Sequence, residues 1–146
     1  LAEDTCSISG CSSLEFDFAP AGITPDSIWY PFDRLKEEVV LFFTFSSVGR
    51  AQKLLRFSTE RLSEAEKMWQ ENKEKGAEKA LRVFAKQLRR FKKLALAVKK
   101  KKVPQWEEVR KDWQEILAQE LVFLIERKAH HTEEMVQLVR EVKKSF

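Results

Sequence analysis

The chain has 146 residues, 43% of them hydrophobic, which is enough for one domain with a real core. Four glycines and four prolines leave few places for turns, so the chain is either mostly helical or mostly disordered, and eleven Phe and four Trp at helical spacing exclude the disordered class. A formal net charge of only +4 argues against a dedicated nucleic-acid-binding protein.

Residues 1–27 form an acidic leader ahead of a basic body. The leader contains five acidic residues and no Lys or Arg, and the first basic residue of the chain is Arg34. Pro20, Gly22 and Pro25 interrupt regular structure near its end. We therefore expect two units, an extended leader at 1–27 and a helical domain at 28–146.

The start of the chain predicts export to the extracellular space or the cell surface. The sequence begins at Leu1 and not at Met, which suggests a removed signal peptide, and Cys6 and Cys11 suit an oxidising compartment. The two cysteines are close enough for a local disulfide, although an intermolecular disulfide or two free thiols stay open. No run of about 18 uncharged apolar residues occurs, so any membrane attachment is expected to be peripheral.

Within the leader, residues 14–18 alternate strictly between apolar and acidic side chains, which is typical of a half-buried extended strand. The sequence offers no partner strand. Either the three apolar side chains pack on the helices of the same chain, or the segment docks on a neighbouring chain. In the second case the docking residues are Leu14, Glu15, Phe16, Asp17 and Phe18.

Apolar residues at steps of three and four predict an all-α antiparallel bundle. In the first helix, Phe32, Leu35 and Val39 follow this spacing, and further apolar residues beside them indicate burial on more than one side. Gly76 is expected to end the second helix as a left-handed C-cap. The four predicted helices span residues 28–45, 47–75, 77–102 and 104–145.

Three motifs in the first two helices carry a resemblance to a known family. They are Pro25-Asp26-Ser27-Ile28-Trp29-Tyr30-Pro31, Leu41-Phe42-Phe43-Thr44-Phe45 and Arg61-Leu62-Ser63-Glu64-Ala65-Glu66. Together they resemble a family of uncharacterised helical domains in exported prokaryotic proteins. The resemblance covers about residues 25–85. It implies export and an all-helical fold, and it implies no particular activity.

The third predicted helix has a cationic face opposite its apolar stripe. No acidic residue occurs between Lys79 and Trp106, and the cations include Lys86, Arg89, Arg90 and Lys93. Three interpretations are open: a solvated surface, a site for nucleic acid or another polyanion, and a receptor for the acidic leader. Attraction between leader and cationic face would aid encounter and register more than affinity.

The last predicted helix is longer than its neighbours. About forty residues span roughly 60 Å, whereas the hairpin helices span about 40 Å. We therefore expect its C-terminal end to overhang the bundle and to form a second contact with another copy through Met135, Leu138, Val142 and Phe146. Lys128 and His131 interrupt its apolar stripe and mark where it would leave the bundle.

The sequence contains no recognisable catalytic constellation. His130 and His131 are adjacent and point in different directions on a helix, while Glu64 and Glu66 are expected to be ordinary helix-surface charges. We therefore predict no enzyme, no metal site and no cofactor. The leading hypothesis is an exported structural or interaction protein that self-associates through its leader, with a ring or an open filament as the product. The alternative is a monomeric exported module that binds polyanions through the basic helix face.

Overall fold

The computed structural model describes residues 21, 22, 24–42 and 46–146. Across these ranges it has five α-helices, one 3₁₀ turn at Lys128–His130, and no strand. The all-α prediction is confirmed, with five helices in place of four. The predicted strand at 14–18 and the pair Cys6 and Cys11 lie outside the described residues. The helices are α1 (Tyr30–Phe42), α2 (Ser47–Gln70), α3 (Glu74–Lys100), α4 (Trp106–Glu126) and α5 (Glu133–Lys144).

The centre of the fold is an antiparallel hairpin of α2 and α3. Ser46 caps the start of α2 by accepting a hydrogen bond from the Gly49 N–H. The apolar stripes of the two helices face each other, and each fully buried Leu or Phe side chain contributes about 1.5–3 kcal/mol. The large apolar side chains of these two helices that are almost completely buried are Leu54, Leu55, Leu62, Met68, Phe84, Leu88 and Phe91.

The hairpin turn differs from the prediction. Gly76 does not cap α2, because it lies in the first turn of α3 and no described glycine has a positive φ. The left-handed residue of the turn is Asn72, at φ 58°. The glycine is needed for close packing instead, since a Cβ there would lie 2.7 Å from the sulfur of Met68.

The predicted long last helix is broken into α4 and α5. His131 adopts φ 57° after the 3₁₀ turn, and the buried Thr132 hydroxyl donates to the Leu124 carbonyl at 2.7 Å. At the other end of α5, the Gln114 amide donates to the carbonyls of Lys143 and Phe146 at 2.8 Å each. The chain thus reverses, and α5 packs against α3 and α4.

This reversal removes the predicted overhang. Leu138 and Val142 are buried, while Met135 and Phe146 are partly buried and pack against the same core. The sequence located the interruption at Lys128 and His131 correctly, but the interruption marks a reversal of the chain and not an overhang. Folding back covers the surplus apolar stripe inside one chain, so these four side chains are not available to a second copy in this fold.

The first helix is oriented opposite to the prediction. Phe32, Leu35 and Val39 face outward, with 62%, 61% and 47% of their surface exposed. Tyr30 and Glu37, which lie on the opposite side of the helix, are 3% and 5% exposed. Hydrophobic spacing identified the residues that share a face, but much of the surface on which α1 packs is polar, and Leu41 near the end of the helix joins the apolar core. No described helix is long and apolar enough to cross a membrane.

Candidate functional site

A buried polar cluster joins α1 to the hairpin. The cluster takes two residues from one face of α1, Tyr30 and Glu37, and two from the facing side of α2, Arg61 and Glu64. Its fifth member comes from α3. Arg61 and Glu64 are fully buried, and the other three are at most 5% exposed. The cluster consists of Tyr30, Glu37, Arg61, Glu64 and Gln87.

Arg61 and Glu37 are the centre of the cluster. An Arg61 Nη atom donates to Glu37 Oε1 at 2.5 Å, and the second Nη donates to the Tyr30 hydroxyl at 3.2 Å. The Gln87 amide donates to the other oxygen of Glu37 at 2.9 Å, and Arg34 also pairs with this carboxylate. Glu37 therefore receives donors from all three helices.

Glu64 lies 3.1 Å from the same guanidinium but is the more weakly held acid. Its burial raises its pKa to about 8, and the attraction of Arg61 only partly offsets this increase. Burial also raises the pKa of Glu37. We infer that Glu64 is protonated at neutral pH, which leaves Arg61 and Glu37 as the ion pair.

The cluster can hold helices together, but nothing in its geometry points to a reaction. Catalytic groups need contact with a substrate, whereas Arg61 and Glu64 have no exposed surface. Breaking a buried ion pair leaves one unpaired charge and costs about 3–5 kcal/mol. The cluster therefore fixes the position and rotation of α1 on the hairpin.

A second buried acid lies between α2 and α4. The Ser58 hydroxyl is 2.6 Å from the Leu55 carbonyl and 2.6 Å from Glu120 Oε1. One hydroxyl has one hydrogen, so both contacts are full hydrogen bonds only when the Glu120 carboxyl supplies its own. Burial raises the pKa of Glu120 to about 8, which agrees with a protonated carboxyl.

The predicted receiving face on α3 lies beside an open groove between α1, α2 and α3. Leu41, Leu54 and Leu94 provide apolar walls, and the cavity measures about 560 Å³. Of the four predicted cations, Arg90 and Lys93 line this groove, while Lys86 and Arg89 are exposed and are not among its lining residues. The remaining lining residues are Glu38 and Arg50.

The groove already contains one ion pair. Arg90 Nη1 lies 2.6 Å from Glu38 Oε1, and this pairing lowers the pKa of Glu38. Lys93 makes no ion pair with any residue that the structure describes. The other predicted docking partner, Leu14 to Phe18, lies outside the described residues, as do Cys6 and Cys11. Residues 21, 22, 24–42 and 46–146 contain no group of three or more side chains suited to a metal ion.

Sequence reasoning missed the buried polar cluster and misassigned Glu64 to the surface. The signal was present, because Arg61 and Glu64 each immediately precede an apolar stripe residue, Leu62 and Ala65. At 100° per residue they flank the stripe and do not oppose it. Tyr30, Arg61 and Glu64 also stand in the motifs that carried the family resemblance.

The chain matches the model of a known protein family. The family is described as Domain of unknown function (DUF5667), and the match covers residues 22–145. The resemblance to an uncharacterised domain family is confirmed, and it extends well beyond residues 25–85 to include α4 and α5. No curated protein and no solved structure matches the chain.

Proposed function

We propose that this chain, which belongs to the family described as Domain of unknown function (DUF5667), is a non-enzymatic interaction protein that binds further copies of itself. In this proposal the protein is exported, and the leader of one copy docks on the helical domain of the next. Such a head-to-tail contact is heterologous, and it produces a ring or an open filament.

The observation that supports this proposal most is the chemistry of the groove. Three leucines line it beside three cations, Arg50, Arg90 and Lys93. Residues 14–18 alternate apolar and acidic side chains, so Leu14, Phe16 and Phe18 match the leucines while Glu15 and Asp17 match the cations. Apolar contact would supply affinity, and the charges would set register.

The leader is long enough to cross between copies. Residues 1–20 span up to about 70 Å when extended, which exceeds the length of any helix in the domain. Gly22 lies near Asp33 and Glu64, where a Cβ would come 3.7 and 3.8 Å from their carboxylate oxygens. Gly22, near the end of the leader, therefore lies beside α1, the helix that forms one side of the groove.

Deletion of residues 1–19 tests the proposal. We expect the full chain to increase in mass with concentration by size exclusion with light scattering, and to form rings or filaments in negative-stain images. The deleted chain is expected to stay monomeric. A full chain that is monomeric at high concentration, or assembly that survives the deletion, would refute the proposal.

A charge exchange tests the groove itself. Lys93→Glu and Glu15→Lys are each expected to weaken assembly, and the two changes combined in one chain should restore part of it. Lys111→Glu, an equal charge change at an exposed position of α4, serves as the matched control and should leave assembly unchanged. Equal effects of Lys93→Glu and Lys111→Glu would point to net charge and not to the groove.

Polyanion binding is the second candidate. It is favoured by the exposure of Lys86, Arg89 and Lys93, which form no ion pair with a described residue. Neutralising Arg89, Arg90 and Lys93 together would then abolish binding to DNA or an acidic polymer, and binding would weaken steeply with salt. Loss of polyanion binding with unchanged assembly would favour this candidate over the first.

A further inference from the structure

The outer face of α1 and the turn before it carry the most exposed large apolar side chains that the structure describes. They recur at helical spacing, with exposures from 47% to 82%, and we call them the apolar ridge: Ile28, Trp29, Phe32, Leu35 and Val39. Trp29 and Phe32 are in mutual contact, with ring centroids 5.6 Å apart. A contiguous apolar patch of this kind marks a binding surface.

The rotation of α1 is fixed, so the ridge cannot turn inward. Tyr30 and Glu37 lie on the opposite face of the helix, where both contact Arg61. Rotating α1 to bury Phe32 and Leu35 would pull Glu37 away from Arg61 and leave the fully buried guanidinium without its closest carboxylate. The ridge therefore faces outward as a consequence of the same contacts that attach the helix.

Cations without ion-pair partners flank α1 on both sides. On the α2 side, Lys36 and Lys53 line a depression with Arg56. On the α3 side, the Lys79 ammonium lies 4.9 Å from the ring centre of Tyr30, and the Lys86 charge acts on Glu38. Among described residues, none of these four lysines has an ion-pair partner.

The acids at the same borders lie beside arginines. Glu38 pairs with Arg90 at 2.6 Å and Glu60 pairs with Arg56 at 3.5 Å, whereas Asp33 lies 3.6 Å from Arg61, whose closest carboxylate is that of Glu37. The exposed charge around the ridge is therefore positive. A second copy of the ridge would bring lysines against lysines, so charge opposes a symmetric pairing of two such faces.

We infer that the apolar ridge inserts into the interfacial layer of an anionic lipid bilayer. Tryptophan and phenylalanine rings suit the boundary between headgroups and acyl chains, and an amphipathic helix lying in that plane is held by cations facing lipid phosphates. The ridge supplies the rings and aliphatic side chains, and Lys36, Lys53, Lys79 and Lys86 supply the cations. This inference does not depend on the proposed self-association.

The test is co-sedimentation of the full chain with vesicles of equal parts phosphatidylcholine and phosphatidylglycerol, compared with phosphatidylcholine alone. We expect binding to the anionic vesicles, weakened by salt. The double variant Trp29→Ser and Phe32→Ser should lose binding roughly tenfold or more. Lys36→Gln and Lys79→Gln should each lower binding about fivefold.

The matched control changes two other exposed apolar side chains. Val122 and Ile125 on α4 are 41% and 43% exposed, so Val122→Ser and Ile125→Ser remove comparable surface away from the ridge. This variant should bind like the unmodified chain. Unchanged melting temperatures for both double variants would show that the fold is intact.

Four results would overturn the inference. The first two are no binding to either vesicle and equal binding to both. The third is an equal loss of binding in the ridge variant and the control variant. The fourth is a ridge variant that loses self-association although the unmodified chain binds no vesicle. The last result would assign the ridge to a protein contact. A leader-deleted chain that is monomeric yet still binds anionic vesicles would separate this surface from the groove.

Discussion

The α2–α3 hairpin and α1 are both amphipathic, but they use their two faces in opposite ways. The hairpin buries apolar stripes and exposes charge, whereas α1 buries Tyr30 and Glu37 and exposes Phe32, Leu35 and Val39. The hairpin is held mainly by non-directional burial of apolar surface. The attachment of α1 relies on directional polar contacts, which leave its apolar face available for binding. Four predictions test whether the hairpin and α1 are held by these two different kinds of contact.

The largest effect is expected at the centre of the buried polar cluster. Arg61→Ala should lower the free energy of unfolding by about 3–5 kcal/mol, because Glu37 loses its fully buried guanidinium partner and keeps only Gln87 and the partly exposed Arg34. Urea denaturation measures the change. Arg56→Ala, at an arginine whose side chain is 71% exposed, is the control and should cost less than about 1 kcal/mol. Similar costs for the two variants would mean that the cluster does not hold α1.

The hairpin should respond to loss of apolar volume. Leu88→Ala removes a side chain with no exposed surface and should cost about 2–5 kcal/mol of unfolding free energy. The cost combines lost burial with the cavity left behind. A value near zero would contradict the view that apolar packing holds the hairpin, and it would be checked in the same urea experiment.

Stability should decrease as the pH rises, because burial raises the pKa of two acids, Glu64 and Glu120. The pKa of Glu120 rises from 4.5 to about 8 on folding, so the native state binds more protons than the unfolded state between these values. In that window each such group lowers stability by about 1.4 kcal/mol per pH unit, and the loss ends above its folded pKa.

Glu120→Gln isolates one of these groups. The variant should show a shallower decline of stability between pH 5 and pH 8, by about 1.4 kcal/mol per unit, because Gln carries no titrating proton. The remaining slope is expected from Glu64, whose pKa is also raised to about 8. An unchanged slope in urea titrations across this range would show that Glu120 is ionised in the folded protein.

The smallest effect is expected on the apolar ridge. Leu35→Ala should change the unfolding free energy by no more than about 0.5 kcal/mol, since the side chain is 61% exposed. Leu88→Ala is its matched partner, with the same chemical change at a buried site. A large cost at Leu35 in the isolated protein would show that something already covers the ridge.

The helical class, the hairpin and the cationic side of α3 could be predicted from residue spacing. Spacing alone could not show which face of α1 points inward, because that depends on the chemistry of the surface it meets. Arg61 and Glu64 make that surface polar, and both stand beside apolar stripe residues where a charge is usually solvated. The groove was beyond prediction for a related reason, since its lining residues come from three helices.

The break between α4 and α5 could be located but not interpreted. Lys128 and His131 at apolar positions indicate an interruption, yet a kink, an overhang and a reversal all share that signal. The reversal depends on Thr132 reaching the Leu124 carbonyl and on Gln114 holding the far end of α5. The first hydrogen bond forms within the turn, and the second joins residues that are far apart in the sequence. Neither can be recognised from the spacing of apolar residues.

The left-handed backbone at His131 keeps α4 and α5 folded together within one molecule, so a change there could let two molecules exchange their α5 helices. A β-branched residue there disfavours φ near 57°, so His131→Ile would favour joining α4 and α5 into one rod. Release of α5 would expose Val139 and Val142, which are buried in the fold. In a second molecule that has released its own α5, the uncovered surface of α3 and α4 would fit the α5 of the first. A domain-swapped dimer is therefore the expected product, and a stable doubled mass on light scattering would identify it.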